Sequence, residues 1–297
     1  MHILMGGASG LIGSRLVAEL AQAGHRLTRL VRRTPASPDE RIWDPATGLL
    51  DPDVLTGVDA VVHLGGASVG EGRWSADRKQ VLRDSRLHST ALLAHAMAAA
   101  SNPPATFLCA SATGYYGHRG DEVLTEASGP GTGFLADLCV EWEAACGPAA
   151  AAGVRVVHAR LGVVLDPAGG ALERMLGPFR MGVGGRLGNG RQWMSWIAGA
   201  DATAALRLCL STPSLRGPVN VVAPEPVTNA DFTRALGRAL HRPTVLAVPA
   251  FALRLGLGEM ANEALLSSTR AVPRALQAAG FHFDFKTIDE ALAPLGG

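Results

Sequence analysis

The sequence is poor in the features that mark metal centres, disulfide frameworks and membrane anchors. Its four cysteines form no CxxC pair and its nine histidines no HExxH motif, so we predict neither a metal site nor disulfides. No apolar run reaches the roughly 18 residues that a membrane-spanning helix needs. No charged segment precedes an apolar one at the start of the chain, so we predict no signal peptide and expect a cytoplasmic location.

An excess of charge of either sign is missing as well. The chain has 27 Lys and Arg against 26 Asp and Glu, which gives a net charge of +1. This balance provides no electrostatic attraction for nucleic acid or for an anionic membrane, and we expect neither as a partner. No GxSxG motif is present, which disfavours an α/β-hydrolase. Tyrosine and lysine are scarce, because the chain contains only Tyr115, Tyr116, Lys79 and Lys286.

What the sequence does contain is a regular alternation of strands and helices. With 297 residues, of which 47% are apolar, the chain can bury a sizeable core. The residue pattern predicts strands at 2–5, 26–31, 58–64, 106–110 and 154–161, helices at 11–23, 74–100 and 133–152, and a long loop at 111–131. Strands that alternate with helices indicate an α/β fold with a doubly wound parallel sheet of Rossmann type.

Beyond Gly162 this alternation weakens. The pattern predicts helices at 169–181, 200–211 and 230–240, a strand at 219–222 and a mostly helical tail from 249, with Thr228 as an N-cap ahead of Asp231. We therefore divide the chain into a Rossmann domain and a smaller, mostly helical C-terminal substrate lobe. The domain spans 1–165, with 191–225 adding to the sheet edge and the pocket, and the lobe comprises 166–190 and 226–297.

The strongest functional signal is a glycine-rich turn between the first strand and the first helix. Gly7, Gly10 and Gly13 have the spacing GxxGxxG. In dinucleotide-binding proteins the first glycine permits a sharp turn, the second lets the backbone approach a pyrophosphate, and the third lets the helix pack against the sheet. The free N–H groups at the start of the helix would then face the phosphates. The turn predicts a dinucleotide-binding site.

The end of the second strand indicates which dinucleotide is bound. An acidic residue there would accept hydrogen bonds from a ribose 2′-hydroxyl and favour NAD. The chain instead has Arg32 and Arg33 at this position. Guanidinium groups can hold a 2′-phosphate through two parallel hydrogen bonds, so the sequence predicts NADP(H).

Four segments of the chain together resemble a known superfamily. MGGASGLIG at the N-terminus, VVHLGGAS at 61–68, SATGYYG at 111–117 and ARLGVVL at 159–165 resemble the extended and atypical branch of the short-chain dehydrogenase/reductases. RQWMSWI at 191–197 and FALRLGLGEMANEALLSS at 251–268 resemble its epimerase family subgroup, with an extra C-terminal domain and the older description cell-division-inhibitor-like. The resemblance covers essentially the whole chain.

This resemblance implies a set of cofactor-binding residues. The pyrophosphate would lie against Gly7, Ser9, Gly10, Leu11 and Ile12, with Arg32 and Arg33 at the 2′-phosphate, Leu64, Gly65 and Gly66 at the adenosine ribose and pyrophosphate, and Leu161, Gly162 and Val163 at the nicotinamide. Arg86 falls where relatives usually have asparagine and is included in the site.

The resemblance also implies a catalytic Ser or Thr, a Tyr, and a Lys four residues after the Tyr. Ser111 fits the first role, with Thr113 as the alternative. The Tyr and Lys pair is absent, because Phe134 or a neighbour stands where the Tyr belongs and Asp137 or Leu138 where the Lys belongs. Tyr116 or Tyr115 would then supply the acid, with Arg119 or the cofactor 2′-hydroxyl in place of the lysine.

Two functions follow from these residues and the resemblance. In the first, the protein is an NADP(H)-dependent oxidoreductase or epimerase that acts on a small carbonyl or sugar-type substrate. In the second, it is a non-catalytic NADP(H)-binding regulatory or scaffold protein. The substrate pocket is predicted at Met181, Asn189, Gln192, Trp193, Met194 and Ser195. We expect a monomer, or a homodimer formed through the helices at 74–100 and 133–152.

Overall fold

The first half of the chain alternates strands and helices as predicted. The computed structural model describes residues 1–296. The strands are β1 (His2–Gly6), β2 (Arg26–Val31), β3 (Glu40–Asp44), β4 (Leu49–Leu50), β5 (Ala60–His63), β6 (Thr106–Ala112), β7 (Val123–Leu124) and β8 (Arg155–Leu161). The helices are α1 (Leu11–Gln22), α2 (Ala76–Ala99), α3 (Phe134–Ala144) and α4 (Gly147–Ala151), with a 3-10 helix at Thr113–Tyr116.

The second half has shorter elements. Its strands are β9 (Val163–Asp166), β10 (Gly185–Leu187), β11 (Trp193–Met194), β12 (Trp196–Ala198), β13 (Gly217–Val221), β14 (Val227–Thr228), β15 (Leu246–Val248) and β16 (Arg270–Ala271). Its helices are α5 (Gly170–Arg180), α6 (Gly199–Ser211), α7 (Asn229–Ala239), α8 (Ala250–Leu257), α9 (Arg274–Ala278) and α10 (Ile288–Leu292), with a π-helical turn at Ala261–Leu265 and a 3-10 helix at Ala293–Gly296.

An eight-stranded sheet forms the centre of the molecule. Its order is β13-β8-β6-β5-β1-β2-β3-β4, and all neighbours are parallel except β3 and β4. The chain moves outward from β1 to β4 on one side and then from β5 to β13 on the other, so the direction reverses between β1 and β5. This confirms the predicted Rossmann-type fold, and ligands of such sheets bind at the carboxyl ends of the strands beside that reversal.

Helices cover both faces of this sheet. In β1, Ile3 and Met5 join the core on the side of α1 and α6, whereas Leu4 joins the core on the side of α2 and α3. A third core, formed mainly by α5, α7 and α10 around Trp196, belongs to the smaller lobe. Because both faces are covered, the central strands β1 and β5 are mainly apolar, whereas β8 also carries Arg155, His158 and Arg160.

The structure corrects two of the predicted elements. The helix predicted at 133–152 is two helices, α3 and α4, because Gly147 and Pro148 interrupt the pattern after Cys146. The loop predicted at 111–131 is shorter, since Ser111 and Ala112 continue β6 and pair with β8. The predicted cap of the helix at 230–240 is confirmed: the Thr228 hydroxyl accepts a hydrogen bond from Asp231 N.

Helix α3 receives its N-terminal cap from the far end of the chain. Its own N-cap residue, Gly133, has a φ of 108° and no side chain that could accept a hydrogen bond. The Glu263 carboxylate fills this role and accepts a hydrogen bond from Leu135 N at 3.2 Å. An acidic group at this end of a helix is stabilising, because the first N–H groups carry a partial positive charge.

The helices differ in length but share one property. None of those in residues 1–296 is both long and apolar enough to cross a lipid bilayer.

Candidate active site

The glycine turn lies between β1 and α1, and two of its glycines are required by the protein's own backbone. Gly7 has a φ of 80°, and a Cβ there would lie 2.5 Å from Gly65 N. A Cβ on Gly13 would lie 2.1 Å from the Gly7 carbonyl oxygen. Any side chain at either position would therefore displace the backbone. This packing holds the start of α1 directly against the carboxyl ends of β1 and β5.

Gly10 differs, because nothing in the protein occupies the space that its side chain would fill. The nearest atom to a Cβ there is the Gly7 carbonyl oxygen, at 3.5 Å, and the backbone has an extended conformation that any residue adopts. The N–H groups of Leu11, Ile12 and Gly13 donate to no atom of residues 1–296. An open space bordered by unpaired helix N–H groups fits a pyrophosphate.

Two further segments border this turn. Leu64 and Gly65 follow β5 and lie against Gly7. On the other side, the Leu11 side chain would lie 3.0 Å from a Cβ on Gly169. The Arg86 guanidinium donates to the carbonyl oxygens of Leu82 and Ala67, at 3.1 and 3.0 Å. Arg86 therefore fixes the segment after β5, and burial lowers its pKa.

The His63 side chain packs against the glycine turn and the segment after β5. The sequence reasoning did not single out this residue. The side chain is completely buried, and its Nε2 lies 2.8 Å from Ser89 Oγ. A Cβ on Gly6 or on Gly65 would come within 2.8 Å of the imidazole ring. Burial lowers the pKa of His63 to about 4, with a smaller contribution from the Arg86 charge. The imidazole is therefore neutral at pH 7.

The two arginines after β2 have different surroundings. Arg33 forms two hydrogen bonds to the Glu40 carboxylate, at 2.8 and 2.7 Å, and these hold the pKa of Glu40 at about 2. Arg32 is exposed and forms no ion pair or hydrogen bond through its side chain within residues 1–296. Arg32 therefore keeps a free guanidinium beside the adenosine end of the predicted cofactor site, whereas Arg33 is already occupied.

Ser111 is the first member of a buried polar network at the end of β6. Its hydroxyl donates to Glu143 Oε1 at 2.7 Å. The same carboxylate accepts two hydrogen bonds from Arg160, both at 2.8 Å, and the Arg160 side chain is only 3% exposed. Such a pair is tolerated in a protein interior because the charges neutralise each other and their hydrogen bonds are satisfied.

The two tyrosines meet this network in different ways. Tyr116 is completely buried, and its hydroxyl contacts Arg160, the Asn220 side chain and the Thr125 carbonyl oxygen at 3.0, 2.7 and 3.0 Å. Burial raises the pKa of the Tyr116 hydroxyl. Tyr115 is half-buried, and its hydroxyl forms no hydrogen bond within residues 1–296. The Arg160 guanidinium lies 3.4 Å from the centroid of the Tyr115 ring.

The segment after β8 has its backbone fixed on both sides. Gly162 N donates to the Val221 carbonyl oxygen and Val163 N to that of Ser195, at 3.1 and 2.8 Å. A Cβ on Gly162 would lie 2.7 Å from the Ser195 oxygen. The three residues predicted to flank the nicotinamide, Leu161 to Val163, thus form a tight and rigid connection between β8 and β9.

A cavity of about 330 Å³ lies between the loop after β6 and the smaller lobe. Asn189 and Gln192, two of the predicted substrate residues, line it together with His118, Arg191, Arg254 and Ser268. The other four predicted substrate residues do not line it, and Met194 packs against the core of the smaller lobe. Trp193 bonds to Asp121, Ser195 is buried between the backbones of Thr269 and Ala271, and Met181 is 71% exposed at the end of α5.

Sequence reasoning missed Glu143, Asn220 and His63 and did not assign a role to Arg160. One signal was available, because Arg160 is a charged residue in a strand predicted to be covered on both faces. A buried arginine requires an acidic partner. Nothing local identified Glu143 as that partner. The described residues contain no cluster of three His, Cys, Asp or Glu side chains that could hold a metal ion.

Two family models and a set of similar proteins match this chain. Residues 3–222 match the NAD dependent epimerase/dehydratase family, and residues 248–295 match a domain of unknown function, DUF1731. The epimerase family protein Mb2239 of Mycobacterium bovis is 52% identical over 290 residues, which cover 98% of this chain and 96% of that protein.

Two solved structures are similar over the whole of this chain. The human epimerase family protein SDR39U1 (isoform 2), crystallised with NADPH, has a TM-score of 0.89 and 32% identity, and the match covers 99% of that chain. A nucleoside-diphosphate sugar epimerase from Corynebacterium glutamicum has a TM-score of 0.81 and 36% identity, and the match covers 58% of that chain.

Proposed function

The chain belongs to the NAD dependent epimerase/dehydratase family, and from this membership we propose that it is an NADP(H)-dependent oxidoreductase or epimerase. Its substrate would be a small carbonyl or sugar-type compound. The observation that carries the proposal is the open space at Gly10, bordered by the unpaired N–H groups of α1. The similar human protein crystallised with NADPH supports the same cofactor here.

Arg32 would select NADP(H) over NAD(H). Its guanidinium is free, and a 2′-phosphate offers it charge-assisted hydrogen bonds that a ribose hydroxyl does not. We expect Arg32→Ala to weaken NADPH binding by roughly 10- to 100-fold, equivalent to about 1.5–3 kcal/mol, and to leave NADH binding unchanged. Isothermal titration calorimetry of both cofactors with both proteins measures this difference.

The control for this measurement is Arg26→Ala, which removes an arginine from the opposite end of β2. It should leave the affinity for both cofactors unchanged. Equal affinities of the wild-type protein for NADPH and NADH would contradict the proposed selectivity. If Arg32→Ala lowers the affinity for NADPH and for NADH equally, Arg32 does not contact the 2′-phosphate.

Ser111 and Tyr115 are the groups that we propose for proton transfer. Bound NADP(H) would supply or accept the hydride. Because Ser111 donates its only hydrogen to Glu143, its oxygen can still accept a hydrogen bond from a substrate hydroxyl. Tyr115 keeps a free hydroxyl, and the Arg160 guanidinium, 3.4 Å from the centroid of its ring, would hold the ring in place. The burial of Tyr116 does not favour the same role for that residue.

Turnover assays can separate the two tyrosines. We expect Tyr115→Phe to lower NADPH consumption by about 100-fold or more, the usual contribution of a proton-transferring side chain. Tyr116→Phe removes three buried hydrogen-bond contacts and should mainly lower the melting temperature. The assay uses NADPH with a panel of sugar nucleotides, quinones and small carbonyls, and thermal unfolding of each variant provides the control.

The missing Tyr and Lys pair supports a second candidate function, a non-catalytic NADP(H)-binding regulatory or scaffold protein. Ser111 donates its hydroxyl hydrogen to Glu143, a residue of the protein itself. The Tyr116 hydroxyl likewise forms its hydrogen bonds with other groups of the protein. Tight NADPH binding combined with no consumption across the panel, in the wild-type protein and in Tyr115→Phe alike, would favour this function over the enzyme.

A further inference from the structure

Half of the large apolar side chains that are exposed in residues 1–296 lie in one region of the smaller lobe. Twelve such side chains are exposed in the described part of the chain. Six of them belong to two segments, 181–183 and 245–255: Met181, Val183, Val245, Leu246, Phe251 and Leu255. Their exposed fractions range from 49% for Leu246 to 87% for Val245. Concentrated exposure of this kind marks an interaction surface.

The two segments are neighbours in space. β10 pairs with β15, with Gly185 opposite Leu246. The Arg242 guanidinium donates to the Arg180 carbonyl oxygen at 2.9 Å, which joins the residues just before these strands. α8 follows β15 directly and buries none of its residues. We call the surface formed by residues 178–190 and 240–258 the basic apolar face.

The charge balance of the whole chain does not extend to this face. Its residues include Arg180, Arg186, Arg242 and Arg254, and all 26 acidic residues of the chain lie elsewhere. Phe251 and Leu255 are four residues apart on α8, so they project from one side of the helix. Segments that expose apolar side chains and carry arginines but no acidic residues are typical of proteins that bind to a membrane surface.

We propose that the basic apolar face docks on the surface of an anionic phospholipid bilayer. Apolar side chains of α8 and of the β10–β15 pair would enter the interface, and the arginines would contact lipid phosphates. A second copy of the chain fits less well, because two-fold packing would bring together two faces that each carry arginines and no acidic residue to pair with them. Nucleic acid would leave the six apolar side chains without a partner. Peripheral docking requires no membrane-spanning helix.

This surface shares a helix with the cavity beside the candidate active site. Ala250 and Arg254 of α8 line that cavity, whereas Phe251 and Leu255 are exposed to solvent. Docking would therefore bring the lipid surface next to the cavity wall. The proposal concerns binding to lipid and does not depend on the proposed reaction.

Co-sedimentation with vesicles tests the proposal on the full chain. We expect the protein to pellet with vesicles that contain about one third phosphatidylglycerol and to stay in the supernatant with pure phosphatidylcholine. Raising the salt concentration to about 0.5 M should weaken the binding, because it screens the arginine charges. Phe251→Asp/Leu255→Asp should lower the vesicle partition coefficient by roughly tenfold or more.

The matched control is Val81→Asp, which changes an exposed apolar residue of α2, outside the basic apolar face. It should bind vesicles like the wild-type protein. All variants should keep the wild-type melting temperature and NADPH affinity, which separates a failure of docking from a failure of cofactor binding. Three results would overturn the proposal: no binding to anionic vesicles, equal binding to neutral vesicles, or a dimer in ultracentrifugation that Phe251→Asp/Leu255→Asp disrupts. Wild-type binding to polyaspartate but not to vesicles would also overturn it, in favour of an acidic protein partner.

Discussion

Gly10→Val should lower the affinity for NADPH by about 100-fold or more and cost the free protein no more than about 1 kcal/mol of stability, the usual penalty of a poor N-cap residue. The backbone at Gly10 has φ −74° and ψ 172°, which suit a β-branched residue, and no protein atom lies closer than 3.5 Å to the new Cβ. The side chain would instead fill the space proposed for the pyrophosphate. We expect the affinity for NADPH to fall by about 100-fold or more, equivalent to roughly 3 kcal/mol.

Calorimetric titration and thermal unfolding together test this expectation. Gly13→Ala is the informative comparison, because its Cβ would lie 2.1 Å from a backbone oxygen. That variant should lose about 1–3 kcal/mol of folding stability and should also bind the cofactor more weakly. If Gly10→Val binds NADPH like the wild-type protein, the cofactor does not lie at the start of α1, and the proposed function fails with it.

Glu143→Leu should be among the most destabilising single substitutions in the chain. It removes the partner of Arg160, whose side chain is 3% exposed, and leaves a buried charge without compensation. Breaking a buried ion pair on one side typically costs about 3–5 kcal/mol. We expect the melting temperature to fall by roughly 10 °C for a chain of this size. Differential scanning calorimetry measures the change.

Two further variants show whether burial is the cause. Glu122→Gln breaks the exposed pair with Arg119 and should cost less than about 1 kcal/mol. The double variant Glu143→Leu/Arg160→Met removes both charges and should regain much of the lost stability. An unchanged melting temperature in Glu143→Leu would mean that Arg160 finds other partners or water, contrary to the described network.

The fold and the cofactor turn could be predicted because their determinants are local. The alternation of apolar strands and helices lies in consecutive residues, and the spacing of Gly7, Gly10 and Gly13 is fixed by a single turn. The Gly147–Pro148 pair is also a local signal, and it marks the break between α3 and α4. The apolar pattern continues across this pair, however, and therefore predicts one helix instead of two. Short strands such as β7 and β16 have no such pattern, because they pair only after distant segments have met.

The polar network could not be predicted for the same reason. The Tyr116 hydroxyl bonds to Asn220, 104 residues away, and Ser111 bonds to Glu143, 32 residues away. The sequence shows that Tyr115 and Tyr116 are adjacent but not that one is buried and the other half-exposed. Likewise, the pair Arg32 and Arg33 suggests two equivalent cations, whereas Glu40 on the adjacent strand occupies only the second.

The Glu263 carboxylate that caps α3 has a consequence for folding during translation. Leu135 and Glu263 are 128 residues apart, so any α3 that forms during translation has no cap until more than a hundred further residues have been added. The same helix contains Glu143, the counter-ion of Arg160. A nascent chain released before Glu263 would thus have a less stable α3 beneath the predicted catalytic serine, and completion of the amino-terminal half would await synthesis of the carboxy-terminal one.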